Sequence, residues 1–230
     1  IRVYDDTEIC FVNRDHYEGI LMPGFGEPVQ NIQINTQETG LKWIDHIVGN
    51  VHINEMDHWA NYINRSLDFE TFIDFGPGDI STQYSALLSK VVRSKDEIIK
   101  NPINEPFEAA KLSQIEEYTN EYLGSGIQHI AIATADIVST IRAMRHNGVE
   151  FLEVPDTYYD ELAKKDFGLE ENLDDLRELG ILCDVEGTGY LLQLFTKPTF
   201  ERQIHFLLGE RDHRYTAPLS REWHIRYQLH

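Results

Sequence analysis

Two five-residue segments, Ile44-Asp45-His46-Ile47-Val48 and Ile127-Gln128-His129-Ile130-Ala131, each set one histidine in a short apolar stretch with strand-like alternation. The histidines lie 83 residues apart (46 to 129). That is room for one whole supersecondary unit, so the segments read as equivalent points of an internal repeat. A fold built from two such repeats can bring one imidazole from each to a common interior, and converging imidazoles are the raw material of a metal site.

The residues around each segment support the repeat. In the first half, a strand over 43–48 precedes a helix over 55–63, with Met56, Trp59 and Ile63 at helical spacing. Three β-like stretches follow, at 69–75, 83–92 and 97–103. In the second half, a strand over 127–134 leads into a helix from about Asp136, with Ile137, Ile141 and Met144 apolar and Gly148 as its C-terminal cap. Extended 149–154, an acidic helical insert over 158–179 and β-like 180–185 and 190–196 complete it. Both halves read βαβββ, which predicts an α+β fold in which two modules pair into an incomplete barrel. Simple alternation places Ile44, His46 and Val48 on one face of the first strand, and Ile127, His129, Ala131 and Ala133 on one face of the second. The small residues beside the histidines leave space for a ligand.

The first forty residues, with β-like 8–12, turn-rich 22–26 and polar 31–40, read as the tail of a preceding domain. The chain opens Ile1-Arg2-Val3-Tyr4, with neither an initiator Met nor a charged-then-apolar leader, and so reads as a piece of a longer product. Net charge is −19, from 39 acidic and 20 basic residues, which argues against nucleic acid and anionic membranes as partners. No apolar run is long enough to span a bilayer. Cys10 and Cys183 are the only cysteines, which supports no disulfide framework and fits a reducing, cytoplasmic setting.

Six blocks of the chain resemble 4-hydroxyphenylpyruvate dioxygenases, in the family's order and over about residues 3 to 202. They are Asp45-His46-Ile47-Val48-Gly49-Asn50, Tyr84-Ser85-Ala86-Leu87, Pro102-Ile103-Asn104-Glu105-Pro106, Ser113-Gln114-Ile115, Gly126-Ile127-Gln128-His129-Ile130-Ala131 and Tyr190-Leu191-Leu192-Gln193-Leu194-Phe195-Thr196-Lys197-Pro198. The resemblance implies a vicinal-oxygen-chelate fold, with residues 1–40 as the end of a non-catalytic N-terminal domain and 41–230 as the catalytic one. It implies an Fe(II)-dependent oxidoreductase of tyrosine catabolism that converts 4-hydroxyphenylpyruvate and O2 to homogentisate and CO2. A homo-oligomer, dimer or tetramer, is expected on the same ground.

Carried over by motif, His46 and His129 would be the imidazole ligands of the iron. Ser85, Asn104, Gln114 and Gln193 would place the substrate as neutral hydrogen-bonding groups, and Phe195 and Phe206 would flank its ring. The third ligand departs from the family pattern. The family's last strand carries an aromatic, any residue, then the ligand Glu, whereas this chain reads Phe206-Leu207-Leu208-Gly209-Glu210-Arg211. The spacing from Phe195 to Phe206 is kept and puts Leu208 in the ligand's place. Glu210, two residues on and therefore on the same strand face, is the expected third ligand, brought in by a bulge or register change. Residues 212–230 show none of the family's glycine-rich segment and closing helix. Two other functions fit the same residues: a metal-free binding relative that lost the third ligand, and a sister enzyme of the hydroxymandelate synthase type, which hydroxylates the benzylic carbon.

Overall fold

The two histidine-bearing segments become the paired central strands of one sheet. A computed structural model describes residues 1–27, 37–75, 87–107, 113–186, 189–198 and 204–211. A small antiparallel pair, β1 (Arg2–Val3) and β2 (Thr7–Glu8), precedes the first module, which comprises β3 (Leu41–Asn50), α1 (Met56–Leu67), β4 (Glu70–Phe75), β5 (Leu87–Arg93) and β6 (Lys100–Pro106). α2 (Gln114–Tyr122) links it to the second module: β7 (Gly126–Thr134), α3 (Ile137–His146), α4 (Asp156–Leu162), α5 (Leu173–Leu179), β8 (Leu182–Glu186), β9 (Gly189–Phe195) and β10 (His205–Arg211). The strand order is β4-β5-β6-β3-β7-β10-β9-β8.

That order reads the same from either edge once the modules are matched. Each module's first strand pairs in parallel with its own last strand, β3 with β6 and β7 with β10, and the two first strands pair antiparallel with each other. The sheet curls without closing: among the described residues no ladder joins β4 to β8. The expected pair of βαβββ modules and incomplete barrel are therefore present. Among the described residues no helix is long and apolar enough to cross a membrane.

The helices cover the outer face. Met56, Ala60 and Ile63 of α1, spaced by four and three, pack with Val51, Val92 and Ile103 of the sheet side and with Val3 and Tyr4 of the first hairpin. Tyr4 lies so close over β3 that a Cβ on Gly49 would sit 2.3 Å from its hydroxyl oxygen, which explains the glycine there. In the second module Ile137, Ile141 and Met144 of α3 pack with Tyr159, Leu162, Leu176 and Leu179 of α4 and α5, over Leu192, Leu194 and Leu208. Each fully buried aliphatic side chain of this kind contributes roughly 1.5–3 kcal/mol.

Several local expectations shift. The insert forms two short helices rather than one, because Gly168 takes a positive φ and Asn172 starts α5 by accepting from the Asp174 N–H at 2.8 Å. The strand expected at 97–103 starts later, since Ser94 and Asp96 hold a turn with Glu97 at φ 63. The extended stretch 149–154 makes a single bridge, Phe151 with Thr196. The strand expected at 83–92 is described only from Leu87. α2 has no counterpart among the described residues, yet its start is written in the sequence: Ser113 and Glu116 form a reciprocal capping box.

α3 is capped twice. The Asp136 carboxylate accepts from the Ser139 N–H at 2.9 Å, and the Glu210 carboxylate, reaching over from β10, accepts from the Ile137 N–H at 2.7 Å. Burial pushes the Glu210 carboxyl above the usual range, with the Ile137 N–H opposing that rise. Glu210→Ala should lower stability to urea by about 1–2 kcal/mol, the worth of a lost cap. A carboxyl whose pKa is raised on folding contributes stability that is complete below its unfolded value and fades as pH rises through its folded one. Glu210→Gln, which keeps an acceptor but cannot ionise, should therefore show a smaller fall in stability from acid to neutral pH than the unaltered chain.

Candidate metal centre

Three register shifts in the β3–β7 ladder, at Leu41/Trp43, Ile44/His46 and Val48/Gly49, decide which side chains face inward. Ile44 pairs with Ile132 and His46 with Ala131, so β3 advances two residues while β7 advances one. The alternation slips at that point, as it does at a bulge. Trp43, paired with Ala133, therefore joins His46 on the inner face, and Ile44 does not. A second slip places His129 opposite Val48 but Ile127 opposite Gly49, and Ile127 packs outward against the α1 cluster. The inner face keeps His46, Val48, His129, Ala131 and Ala133; Ile44 and Ile127, expected with them, leave it.

His46 and His129 are 3% and 0% exposed, and their ring centroids are 5.6 Å apart at an interplanar angle of 77°. In each segment the residue immediately before the histidine holds Nδ1: Asp45 Oδ2 lies 2.8 Å from His46 Nδ1, and Gln128 Oε1 lies 2.7 Å from His129 Nδ1. An Nδ1–H donated to such an acceptor fixes the tautomer that offers Nε2 to a metal. The two supports differ in charge, since Asp45 also takes an ion pair from Lys100 at 3.2 Å while Gln128 is neutral. The edge of Phe195 meets the His129 ring at 5.5 Å. Beside the pair opens a cavity of about 210 Å³, lined by His46, Trp43, Ala131, Gln193, Leu207 and Gly209 among others.

Gln193, fully buried, faces this cavity from β9. Asn104 is also fully buried and stands in a cross-strand row with Ser89 of β5 and Asn50 of β3. That row lies on the inner face, opposite Ile103, and on the far side of His129 from the cavity. Both amide atoms of Asn104, Asn50 Oδ1 and Ser89 Oγ have no hydrogen-bond partner among the described residues, and the same holds for Oε1 of Gln114 at the start of α2. Buried polar atoms in that state call for a ligand or water. Ser85 lies outside the described residues.

β10 departs from expectation. Leu207 pairs with Phe195 and Ala131, and Gly209 with Gln193 and Ala133, so the inward positions are His205, Leu207 and Gly209. Phe206 and Leu208 turn to the helix layer, where they pack with the α3 cluster. Phe206 therefore does not flank the cavity, and Leu208 does not occupy a ligand's place on the histidine face. Glu210 does share a face with Leu208, as the count of two requires, but that face belongs to the helices, and its carboxylate caps α3. It is not brought to the histidine pair. His205 is inward, with Nδ1 tied to the Thr196 carbonyl at 2.9 Å. Among the described residues no three His, Cys, Asp or Glu side chains gather into a metal-holding group. The two imidazoles that a two-histidine, one-carboxylate site would need thus stand together, and the described residues do not bring a carboxylate to them. Sequence reasoning missed Asp45 and Gln128, although a polar acceptor directly before each repeated histidine was a legible signal.

The comparisons with known proteins agree with this architecture. Residues 43–166 match the model of the Glyoxalase/Bleomycin resistance protein/Dioxygenase superfamily. A 4-hydroxyphenylpyruvate dioxygenase of Yarrowia lipolytica is 44% identical over 90% of the chain and 54% of its own length, and one of Caenorhabditis elegans is 41% identical over 90% and 55%. The chain thus spans about half the length of the curated relatives it matches. Among solved structures, a mutant 4-hydroxymandelate synthase from Streptomyces coelicolor aligns with TM-score 0.67 and 26% identity, over 79% of this chain and 51% of the other. With paired βαβββ modules, an open eight-stranded sheet and a superfamily match across more than half its length, the chain belongs to the Glyoxalase/Bleomycin resistance protein/Dioxygenase superfamily.

Proposed function

We propose that this chain is the catalytic portion of an Fe(II)-dependent 4-hydroxyphenylpyruvate dioxygenase, which converts 4-hydroxyphenylpyruvate and O2 to homogentisate and CO2. In this reading residues 41–230 form the catalytic domain, residues 1–40 end the domain before it, and the whole protein is a cytoplasmic homo-oligomer. One observation carries the reading: two repeat-equivalent imidazoles, each with Nδ1 engaged by its sequence neighbour, stand side by side, and one of them, His46, lines a cavity. Curated relatives at 38–44% identity, each named 4-hydroxyphenylpyruvate dioxygenase, support it and favour it over a metal-free binding relative.

In this reading His46 and His129 hold the iron, which would supply the redox chemistry of oxygen activation. Gln193 offers its amide to the 2-oxo acid from the cavity wall. Ser85, Asn104 and Gln114 are the remaining neutral donors and acceptors. Phe195 buries the His129 ring and excludes water from it. The apolar lining around Ala131, Ala133 and Leu207 suits an aromatic ring more than a sugar or a phosphate.

The deciding experiment is oxygen uptake by the Fe(II)-loaded chain with 4-hydroxyphenylpyruvate, followed by chromatography of the product. Homogentisate supports the proposal, its isomer 4-hydroxymandelate transfers the chain to the sister reaction, and absence of substrate-dependent uptake rejects both. In anaerobic Fe(II) titrations, His46→Ala and His129→Ala should each abolish measurable uptake while leaving the circular dichroism unchanged. Asp45→Asn, which keeps an acceptor but removes the charge behind His46, should weaken Fe(II) binding by about 10- to 100-fold. Gln193→Ala should raise the KM for 4-hydroxyphenylpyruvate without altering iron content.

A further inference from the structure

The geometry points to position 207 as the third corner of the His46/His129 site, closed in this chain by an apolar side chain. The inference rests on reading the two histidines as metal ligands, and adds where the remaining ligand of such a site has to stand. Two cross-strand pairings fix the place. His46 on β3 is opposite Ala131 on β7, and Ala131 is opposite Leu207 on β10, so the three lie in one row with the smallest side chain in the middle. His129 stands in the adjacent row, one step along β7 on the same face. Side chains at 46, 129 and 207 therefore surround the space above Ala131, and His46, Ala131 and Leu207 all line the cavity.

The neighbouring positions fail on simple grounds. Leu208 is fully buried among Leu192, Leu194 and Ile141 on the opposite face of the sheet. Glu210 is on that face too, and its carboxylate is engaged at the start of α3. Gly209 faces inward but lies two residues past Leu207, about 6.5–7 Å further along the strand. His205 stands opposite His129 with its Nδ1 likewise held, by the Thr196 carbonyl, but it gathers no three-ligand group with the pair among the described residues. Leu207, 2% exposed, packs there with Ala131 and Phe195. The unaltered chain accordingly holds a divalent cation through two imidazoles, weakly, and a ligand side chain at 207 completes the site where one at 208 does not.

The test is Co(II) binding to the full chain, read by calorimetry and by the visible absorption of the bound ion. Leu207→Glu should tighten Co(II) binding at least tenfold to one ion per chain, and adding His46→Ala should remove the gain. Leu208→Glu should bring no gain. Because a carboxylate at 207 adds a charge to a buried position, Leu207→His, which adds a neutral ligand, carries the same test if the glutamate variant does not fold. A gain at 208 but not at 207 would overturn the inference. So would binding by the unaltered chain that depends on His46 and His129 but is unchanged by both 207 variants. Co(II) binding insensitive to His46 and His129 in every variant would instead remove the metal reading itself, and the inference with it.

Discussion

The antiparallel pairing of β3 with β7 is the constraint on which the rest of this structure depends. It is the seam between two modules that otherwise keep separate cores, one under α1 and one under α3, α4 and α5. It is also the place where the two histidines meet. The seam is not a regular ladder, and its irregularity has a purpose in the geometry. Without the slips at Ile44/His46 and Val48/Gly49, strict alternation would send Ile44 and Ile127 inward with the imidazoles and fill the space that Ala131, Trp43 and Gln193 now surround. A bulge re-aims a side chain without ending a strand, which is why such features suit the walls of a site.

The parts of the fold that were legible in the sequence are those set by local periodicity. The strands around His46 and His129, the Met56–Ile63 and Ile137–Met144 helical faces, and the doubled βαβββ order all follow from spacing within a dozen residues. The parts that were not legible depend on partners distant in the chain. Whether Leu207 or Leu208 faces inward is set by the register of β10 against Phe195 and Ala131, and no local pattern in Phe206-Leu207-Leu208-Gly209-Glu210 states it. The count of two that links Leu208 to Glu210 was sound, but the face they share belongs to the helices. α2 is a different case, since its start is set locally by the capping box of Ser113 and Glu116.

Glu210 shows how a single carboxylate can be committed by its neighbours. An exposed glutamate could swing between roles at little expense. Here the Ile137 N–H would be left with nothing in its place, and a buried donor without a partner costs roughly 1–3 kcal/mol. The same contact ties β10 to the helix that follows β7, so two strands of the second module are fastened through a cap as well as through their ladder. The Asp45–Lys100 pair does the equivalent in the first module, fastening the histidine strand to β6.

His46 and His129 belong to different modules, and this has a consequence for how the molecule moves. Anything that grips both imidazoles acts as a clasp across the seam. Its binding free energy is then added to the work of pulling the halves apart, as for any ligand that binds only the joined state. Backbone amides along β3 and β7 would report the clasp as slower hydrogen exchange, while those of the outlying strands β4 and β8 would scarcely register it. The two half-barrels and their shared site are in that sense one mechanical device, and occupancy of the site and cohesion of the halves rise and fall together.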